Sequence, residues 1–419
     1  MSLKKMIEEL ERMGLLSYVT KLPNFNDEPR VFNFRARIRD CAFEGGAVDT
    51  DENKAKFRAV MEALERYLIS TSIEPFVVES SSNLKSTGSM FIDPGLFQIP
   101  DSLKTESSDG YNSSILKWVK GVNLTTGKNC LIPQQLVELT KRFDSEPKLC
   151  PSTSNGAASG LSLEGALISG ILELIERDTT MLRFLKKTPA KAIDILSLPK
   201  ELQKLIDQVE KYSLKVEIID ATLDFKIPTV ITIIYDEGAY KVCEVSVGAK
   251  TALNKYDAIK GSLLEALQGR FFLRYAKTSG DCPTDLSSGI HSILGRGCFW
   301  CSFARAHEEL EFLSSNGVVK YNEITSVHTS KVTRENLDLL LSEFSRKGYA
   351  LYYYYFGSIP VAAQTWVVHV VKVISPDLQP LFLDENDFLV HKRRDREIST
   401  IFPLSLGVGQ SNTIFHPFM

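Results

Sequence analysis

Two carboxylates three residues apart, followed at once by an arginine and enclosed by apolar side chains, mark the segment Ile171 to Asp178, ILELIERD. In the wider stretch GALISGILELIERDTTML, the neighbours of Glu173 and Glu176 are Leu, Ile and Gly rather than Lys. An E-x-x-E-R helix on a surface is commonly a solvated face with local ion pairs, but these apolar flanks call for burial. The motif is also repeated. VMEALERY places Glu62 and Glu65 before Arg66, and LLEALQGR, Leu263 to Arg270, keeps one acid and has Gln268 where the second would stand. Three such helices predict loosely repeated units grouped round one site.

On an α-helix, residues three apart differ by about 60° of rotation. Glu62 with Glu65, and Glu173 with Glu176, therefore project from one face of each helix, and two such helices packed together bring four carboxylates into one place. Burying ionised carboxylates without partners costs several kcal/mol each, so a cation is expected between them. Oxygen donors of this kind suit Mg²⁺, which takes one or two carboxylates and completes its shell with water and phosphate oxygens. Arg66 and Arg177 carry guanidinium groups shaped for phosphate. The small polar loop STSNGAASG leads into the second acidic helix, whose exposed N–H groups favour an anion. Together these parts describe a metal-assisted nucleotide site.

Helical and strand periods alternate along the remaining chain, predicting a mixed α+β fold within the α/β class. An amphipathic helix opens it, and RVFNFRARIRDCAF alternates as a strand does before Gly45-Gly46 and a helix from about Asn53 to Ile69. Residues 79–113, rich in Ser, Gly, Asp and Pro, read as a long loop. Thr125 to Lys128 reads as a hairpin turn, and strands and helices follow to TWVVHVVKVI. The expected division is a helical extension over 1–30 and a catalytic unit over 31–419. Formal net charge is -3 without a long basic run, which argues against nucleic acid as partner. The longest apolar run is too short to span a membrane, the amphipathic start lacks the apolar core of a signal peptide, and seven scattered cysteines make no secreted disulfide framework. A cytoplasmic protein with no membrane partner is expected. Cys298 and Cys301, in CFWC, resemble half of a zinc site, but no second pair stands at matching spacing, so buried thiols are expected.

STSNGAASGLSLEGALISGILELIERD resembles the signature segment of the YcaO family, and GGAVDTDENKAKFRAVMEALERYL and SLLEALQGR resemble that family's two other conserved segments. VVHVVKVISPDLQPLFL and the terminal HPFM are similar to its azoline-forming branch. The resemblance covers roughly residues 30–419. It implies a YcaO-like fold of repeated helix and strand units round a nucleotide, and an ATP- and Mg²⁺-dependent cyclodehydratase. In such an enzyme a Cys, Ser or Thr of a ribosomal precursor peptide attacks the preceding amide, whose oxygen is phosphorylated and leaves, giving a thiazoline or oxazoline. By resemblance Glu62, Glu65, Glu173 and Glu176 match metal and nucleotide acids, and Arg177 and Arg270 match phosphate-contacting arginines. Ser152 and Asn155 fall in the polar loop, and Glu164 stands beside the missing nucleotide-site acid.

The sequence departs from that family at several points. Leu161 stands where an Asn is expected and Gly165 where a Glu is expected; Gly45 to Val48 replace a usual Ser and Lys. Met419 ends the chain where Pro is usual, and in the azoline branch the terminal carboxylate is implicated in proton transfer. His416 is a further candidate, since it titrates near neutrality and the terminus can enter the site. The roughly 30 residues before the first strand are too few for a fused peptide-recognition domain, so a separate recognition or ubiquitin-activating-like partner is expected to deliver the precursor; a homodimer stays open. Two alternatives keep the same fold: a thioamide- or amidine-forming enzyme, and a catalytically degenerate partner subunit. Elsewhere, Tyr352 to Tyr355 read as core plus sheet surface, His369 as a satisfied strand histidine, and His391 with KRRDR as a solvated basic turn.

Overall fold

The computed structural model describes residues 3–100, 113–139, 146–239, 241–283, 289–327, 329–361 and 366–419. In chain order its first elements are α1 (Leu3–Arg12), β1 (Leu16–Leu22), β2 (Phe32–Ile38), β3 (Glu44–Asp49), α2 (Glu52–Ile69), β4 (Val77–Ser80), α3 (Ser81–Ser86), β5 (Ile115–Asn123), β6 (Asn129–Pro133), β7 (Ala157–Gly160) and α4 (Leu163–Leu185). There follow β8 (Lys191–Ile193), α5 (Lys200–Glu210), β9 (Leu214–Asp220), β10 (Thr229–Asp236), β11 (Val245–Thr251) and α6 (Lys255–Ser279). The last are α7 (Ile293–Ser302), α8 (Ala306–Leu310), β12 (Val318–Val319), α9 (Thr333–Lys347), β13 (Tyr352–Val361), β14 (Trp366–Ile374) and α10 (Lys392–Ile401).

The strands form three sheets, in the orders β1-β2-β3, β4-β5-β13-β14-β7 with β6 beside β5, and β11-β10-β9-β8-β12. Each acidic helix directly follows the strand on which it packs: α2 follows β3, α4 follows β7, and α6 follows β11. All three helices begin with a side-chain cap. Asp51, Ser162 and Asn254 each accept the backbone N–H three residues on, relieving one orphan donor of the first turn.

Close approach of strand and helix is what glycine supplies. A Cβ at Gly45 would run into the Ala59 carbonyl and the Ala63 amide of α2, and one at Gly248 into the Ser262 carbonyl and the Ala266 amide of α6. Both helices thus rest their own backbone on the strand, which turns their acids towards the strand end. Gly156, just before β7, shares only the spacing, since a Cβ there would meet the Val373 carbonyl of β14: each glycine stands seventeen residues before an acid, 45 before 62, 156 before 173 and 248 before 265.

Three expectations are corrected. The first thirty residues hold the expected helix and also β1, which pairs antiparallel with β2; Met6, Ile7 and Leu10 bury into the same core as Ala59, Val60 and Leu64, because an amphipathic helix must place its apolar stripe somewhere. The stretch read as a loop takes in the last two residues of β4, which pairs with β5, and the whole of α3, capped by Ser80; its residues 101–112 lie outside the described residues. The basic turn at KRRDR is α10, and its Arg394 is fully buried, bonded to Asp178, Asp224 and Glu397 at 2.7–2.8 Å. In the tyrosine run Tyr352 and Tyr354 join one core cluster and Tyr353 another, while Tyr355 is exposed, and His369 is paired with the Tyr355 hydroxyl at 2.9 Å.

Candidate nucleotide and metal site

Glu62, Glu65 and Arg66 of α2 face Glu173, Glu176 and Arg177 of α4, and α6 adds Glu265 and Gln268. Backbone groups and cations order the cluster. The Gly46 N–H donates to Glu62 Oε2 at 2.9 Å and the Thr251 N–H to Glu176 Oε2 at 2.7 Å. Gln268 ties α6 to β3 by donating to the Gly46 carbonyl at 3.1 Å. Arg66 bridges Glu62 at 3.3 Å and Glu65 at 3.8 Å; Lys250 of β11 stands 3.5 Å from Glu176.

Charge is held there at a cost. Burial pushes Glu65 up to about 8, against the pull of Arg66, with Glu173 and Glu62 adding repulsion. Burial also raises Glu173, and burial and then Glu176 push Glu265 up to about 7. Burial opposes the charge on Arg66 and Arg177, but the surrounding acids outweigh it and hold both above the usual arginine range. Such divided titration marks carboxylates short of positive charge.

Arg177 carries the clearest orphan. Its Nε is buried with no hydrogen-bond partner and lies 3.8 Å from Glu173. An unsatisfied guanidinium N–H beside an acid cluster fits an anionic oxygen. Among the described residues no three His, Cys, Asp or Glu side chains are drawn round one point as a ready cage. The acids instead face one another across Arg66, Arg177 and Lys250, which suits a cation that needs one or two carboxylates and takes its other ligands from phosphate and water.

Arg177 also lines a cavity of about 890 Å³, counting its open mouth, together with Asn155, Cys150, Lys372 and the apolar Phe97, Leu378 and Leu389. Lys372 is buried, donates to the Thr153 carbonyl at 2.6 Å, and is lowered to about 8, chiefly by burial. Cavity and acid cluster meet at Arg177.

The other sequence candidates are scattered. Asn155 lines the cavity and donates to the Leu381 carbonyl at 2.8 Å. Ser152 gives its hydroxyl to the carbonyls of Leu139 and Glu138. Glu164 lies in the first turn of α4, about 13 Å along the axis from Glu173. Arg270 is turned from the acids: five residues past Glu265 is about 140° round the helix, where it is buried against Glu28 at 2.8 Å and Asp236 at 2.9 Å. His416 is buried, with Nε2 2.7 Å from the Phe382 carbonyl, and burial and then Arg296 hold it well below the usual histidine range. Met419 packs its side chain on Gly269 and Gly297 of α6 and α7.

Sequence reading passed over Glu265 as a site residue although LLEALQGR contains it. The seventeen-residue spacing from a strand glycine is the signal that selects it. Lys250 and Lys372 carry no such mark, since each lies in a strand and meets its partners only through the tertiary fold.

Comparison with known proteins gives a consistent result. The family model described as YcaO cyclodehydratase, ATP- and Mg²⁺-binding, matches residues 48–379. An uncharacterized protein in the tfuA 3′ region of Rhizobium leguminosarum bv. trifolii is 24% identical over 230 residues, and one from Methanothermobacter thermautotrophicus 27% identical over 241. These matches cover 54% and 56% of this chain and 52% and 60% of theirs, so the chain spans little more than half the length of either relative. Among solved structures, a heterocyclase in complex with substrate and cofactor superposes with a TM-score of 0.80 at 16% identity, covering 100% of this chain and 58% of that one. The E. coli microcin synthetase McbBCD complex gives 0.67 at 17% identity, covering 86% and 88%. YcaO from Methanopyrus kandleri bound with AMPPCP and Mg²⁺ gives 0.61 at 18%, covering 90% of each chain. At these identities the solved structures establish the fold.

Proposed function

Because the chain belongs to the YcaO family, we propose that it is an ATP- and Mg²⁺-dependent enzyme that modifies a peptide backbone, and that its reaction is cyclodehydration of Cys, Ser or Thr to an azoline. The observation that carries this reading is the meeting of Glu62, Glu65, Glu173, Glu176 and Glu265 with the unpartnered Nε of Arg177. Bound ATP with Mg²⁺ supplies a phosphoryl group that turns the amide oxygen into a leaving group.

The chain's own residues have separate tasks in this reading. One or two carboxylates of the cluster would hold the metal, with phosphate and water completing its shell, and Gly46, Thr251 and Gln268 keep the acids and their helices aligned. Arg177 takes a phosphate oxygen and Arg66 balances the acids of α2. The cavity beyond Arg177 receives the peptide, and Lys372, lowered to about 8 by burial and so still largely protonated at neutral pH, gives up or takes back a proton at Nζ more readily than an ordinary lysine. His416 is assigned no step, since its buried ring is bonded to the Phe382 carbonyl; the Met419 side chain is packed against α6 and α7, so any part in proton transfer falls to its terminal carboxylate. A catalytically retired subunit is disfavoured by the clustered acids, which without a cation only cost stability.

A ribosomal precursor peptide is the proposed substrate, and a separate recognition protein its carrier. The test is incubation of chain, ATP and Mg²⁺ with peptides encoded beside its gene, with and without candidate carrier proteins and sulfide. Loss of one water per modified residue supports the azoline. Exchange of oxygen for sulfur only when sulfide is supplied replaces it with the thioamide. Unchanged peptide in every mixture, with no ATP consumed, contradicts the enzyme reading.

A further inference from the structure

Cys298 and Cys301 show half of a zinc motif in sequence, and the fold supplies the missing half. Cys243, just before β11, lies against Cys301, and Cys282, just after α6, lies against Cys298, each pair within disulfide reach. Cys243, Cys298 and Cys301 are buried in one cluster with Leu273, against which the half-buried Cys282 and Met419 pack. Cys298 and Cys301 occupy the same face of α7, three residues apart, which sets their Cβ atoms about 5–6 Å from each other. The two sulfur pairs therefore stand side by side, joined through α7 in one cluster.

We propose that Cys243, Cys282, Cys298 and Cys301 form one tetrathiolate site for Zn²⁺ when reduced, with the two disulfides as its oxidised state. While the sulfurs are paired they offer no thiolate, and no ligand group stands ready among the described residues. Reduction gives each disulfide two electrons and two protons from a dithiol, which itself becomes a disulfide. The four resulting thiols then release four protons as they bind a single Zn²⁺. Four sulfur ligands in a tetrahedral volume suit zinc over the hard cation of the carboxylate site.

The surroundings are built for the charge this creates. A zinc tetrathiolate carries a net charge of about -2, and the C-terminal half of α7 adds an unfavourable dipole. Opposing both, Lys277 Nζ donates to the carbonyls of Val242 at 2.8 Å and Cys301 at 3.4 Å. Arg270 donates to the Cys243 carbonyl at 3.2 Å. Cationic donors thus sit on the backbone of two of the four ligands, as outer partners of metal sites do. Arg270, which the fold turns away from the acids, acquires a role here.

The remaining cysteines give the test its contrast, since Cys41, Cys130 and Cys150 are unpaired. The full chain is produced with zinc and kept under a dithiol reductant, and bound metal is measured by elemental analysis. About one Zn²⁺ per chain is expected, lost when Cys243, Cys282, Cys298 and Cys301 are alkylated and retained when only Cys41, Cys130 or Cys150 is. Replacing zinc with Co²⁺ in the wild-type chain reads the same site by the visible absorption of tetrahedral cobalt thiolate, independently of whether any variant folds. Cys298→Ser together with Cys301→Ser removes bound zinc, whereas Cys130→Ser retains it. A reduced, folded wild-type chain that takes up neither Zn²⁺ nor Co²⁺, or zinc that survives the double substitution, overturns the proposal.

Discussion

Glu65 carries the strongest test of how the acids are held. Its folded pKa of about 8 lies above the ordinary 4.5, so it stabilises the fold fully below about pH 4.5 and loses that contribution as pH rises through 8. Glu265, pushed to about 7, acts in the same direction. Without metal the thermal midpoint is expected to fall between about pH 5 and 8, in proportion to those shifts, and Glu65→Gln is expected to flatten the fall. Melting curves across that range check it; identical slopes in both chains contradict it. Lys372 works in the opposite direction at higher pH. Its folded value of about 8 lies below the ordinary 10.5, so stability recovers between those values as the unfolded chain gives up its proton. At this scale the three-residue spacing made Glu62, Glu65, Glu173 and Glu176 legible. Arg270 was not, because the five-residue step that turns it away matters only once the helix has a buried face. Lys372 was hidden for a further reason: Thr153, which accepts its bond, lies 219 residues away.

Strand glycine, capped helix and acid form the recurring element. Adding a methyl at Gly248 forces β11 and α6 apart, since its Cβ would meet backbone that cannot swing aside. Gly248→Ala is expected to cost about 1–3 kcal/mol in denaturant melts and to weaken nucleotide binding by displacing Glu265. Wild-type stability in that variant would contradict the close-packed unit. Element types were largely legible, because α4 and α6 keep helical periods over 23 and 25 residues. Short elements were not. β4 has four residues and α3 six, too few for a period, and pairing with β5 rather than local propensity makes β4 a strand.

Taken as a whole, the molecule joins one sheet of consecutive strands to two that recruit strands distant in sequence, and buried ion pairs lock that arrangement. Arg394 of α10 binds Asp178 of α4 and Asp224 beyond β9. Arg394→Leu leaves Asp178 buried without its cation while Asp224 keeps Lys347, with an expected loss of about 3–5 kcal/mol; an unchanged denaturation midpoint would contradict that role. Sheet order and these long-range pairs were illegible because no single segment records them, and the same is true of the second cysteine pair. The most direct measurement of the central claim is calorimetric titration of the full chain with ATP in the presence of Mg²⁺, repeated on Glu173→Gln with Glu176→Gln. The account predicts Mg²⁺-dependent binding by the native chain and its loss in a double variant that still folds. Equal binding by both chains, or binding indifferent to Mg²⁺, would contradict a metal–nucleotide site built on these carboxylates.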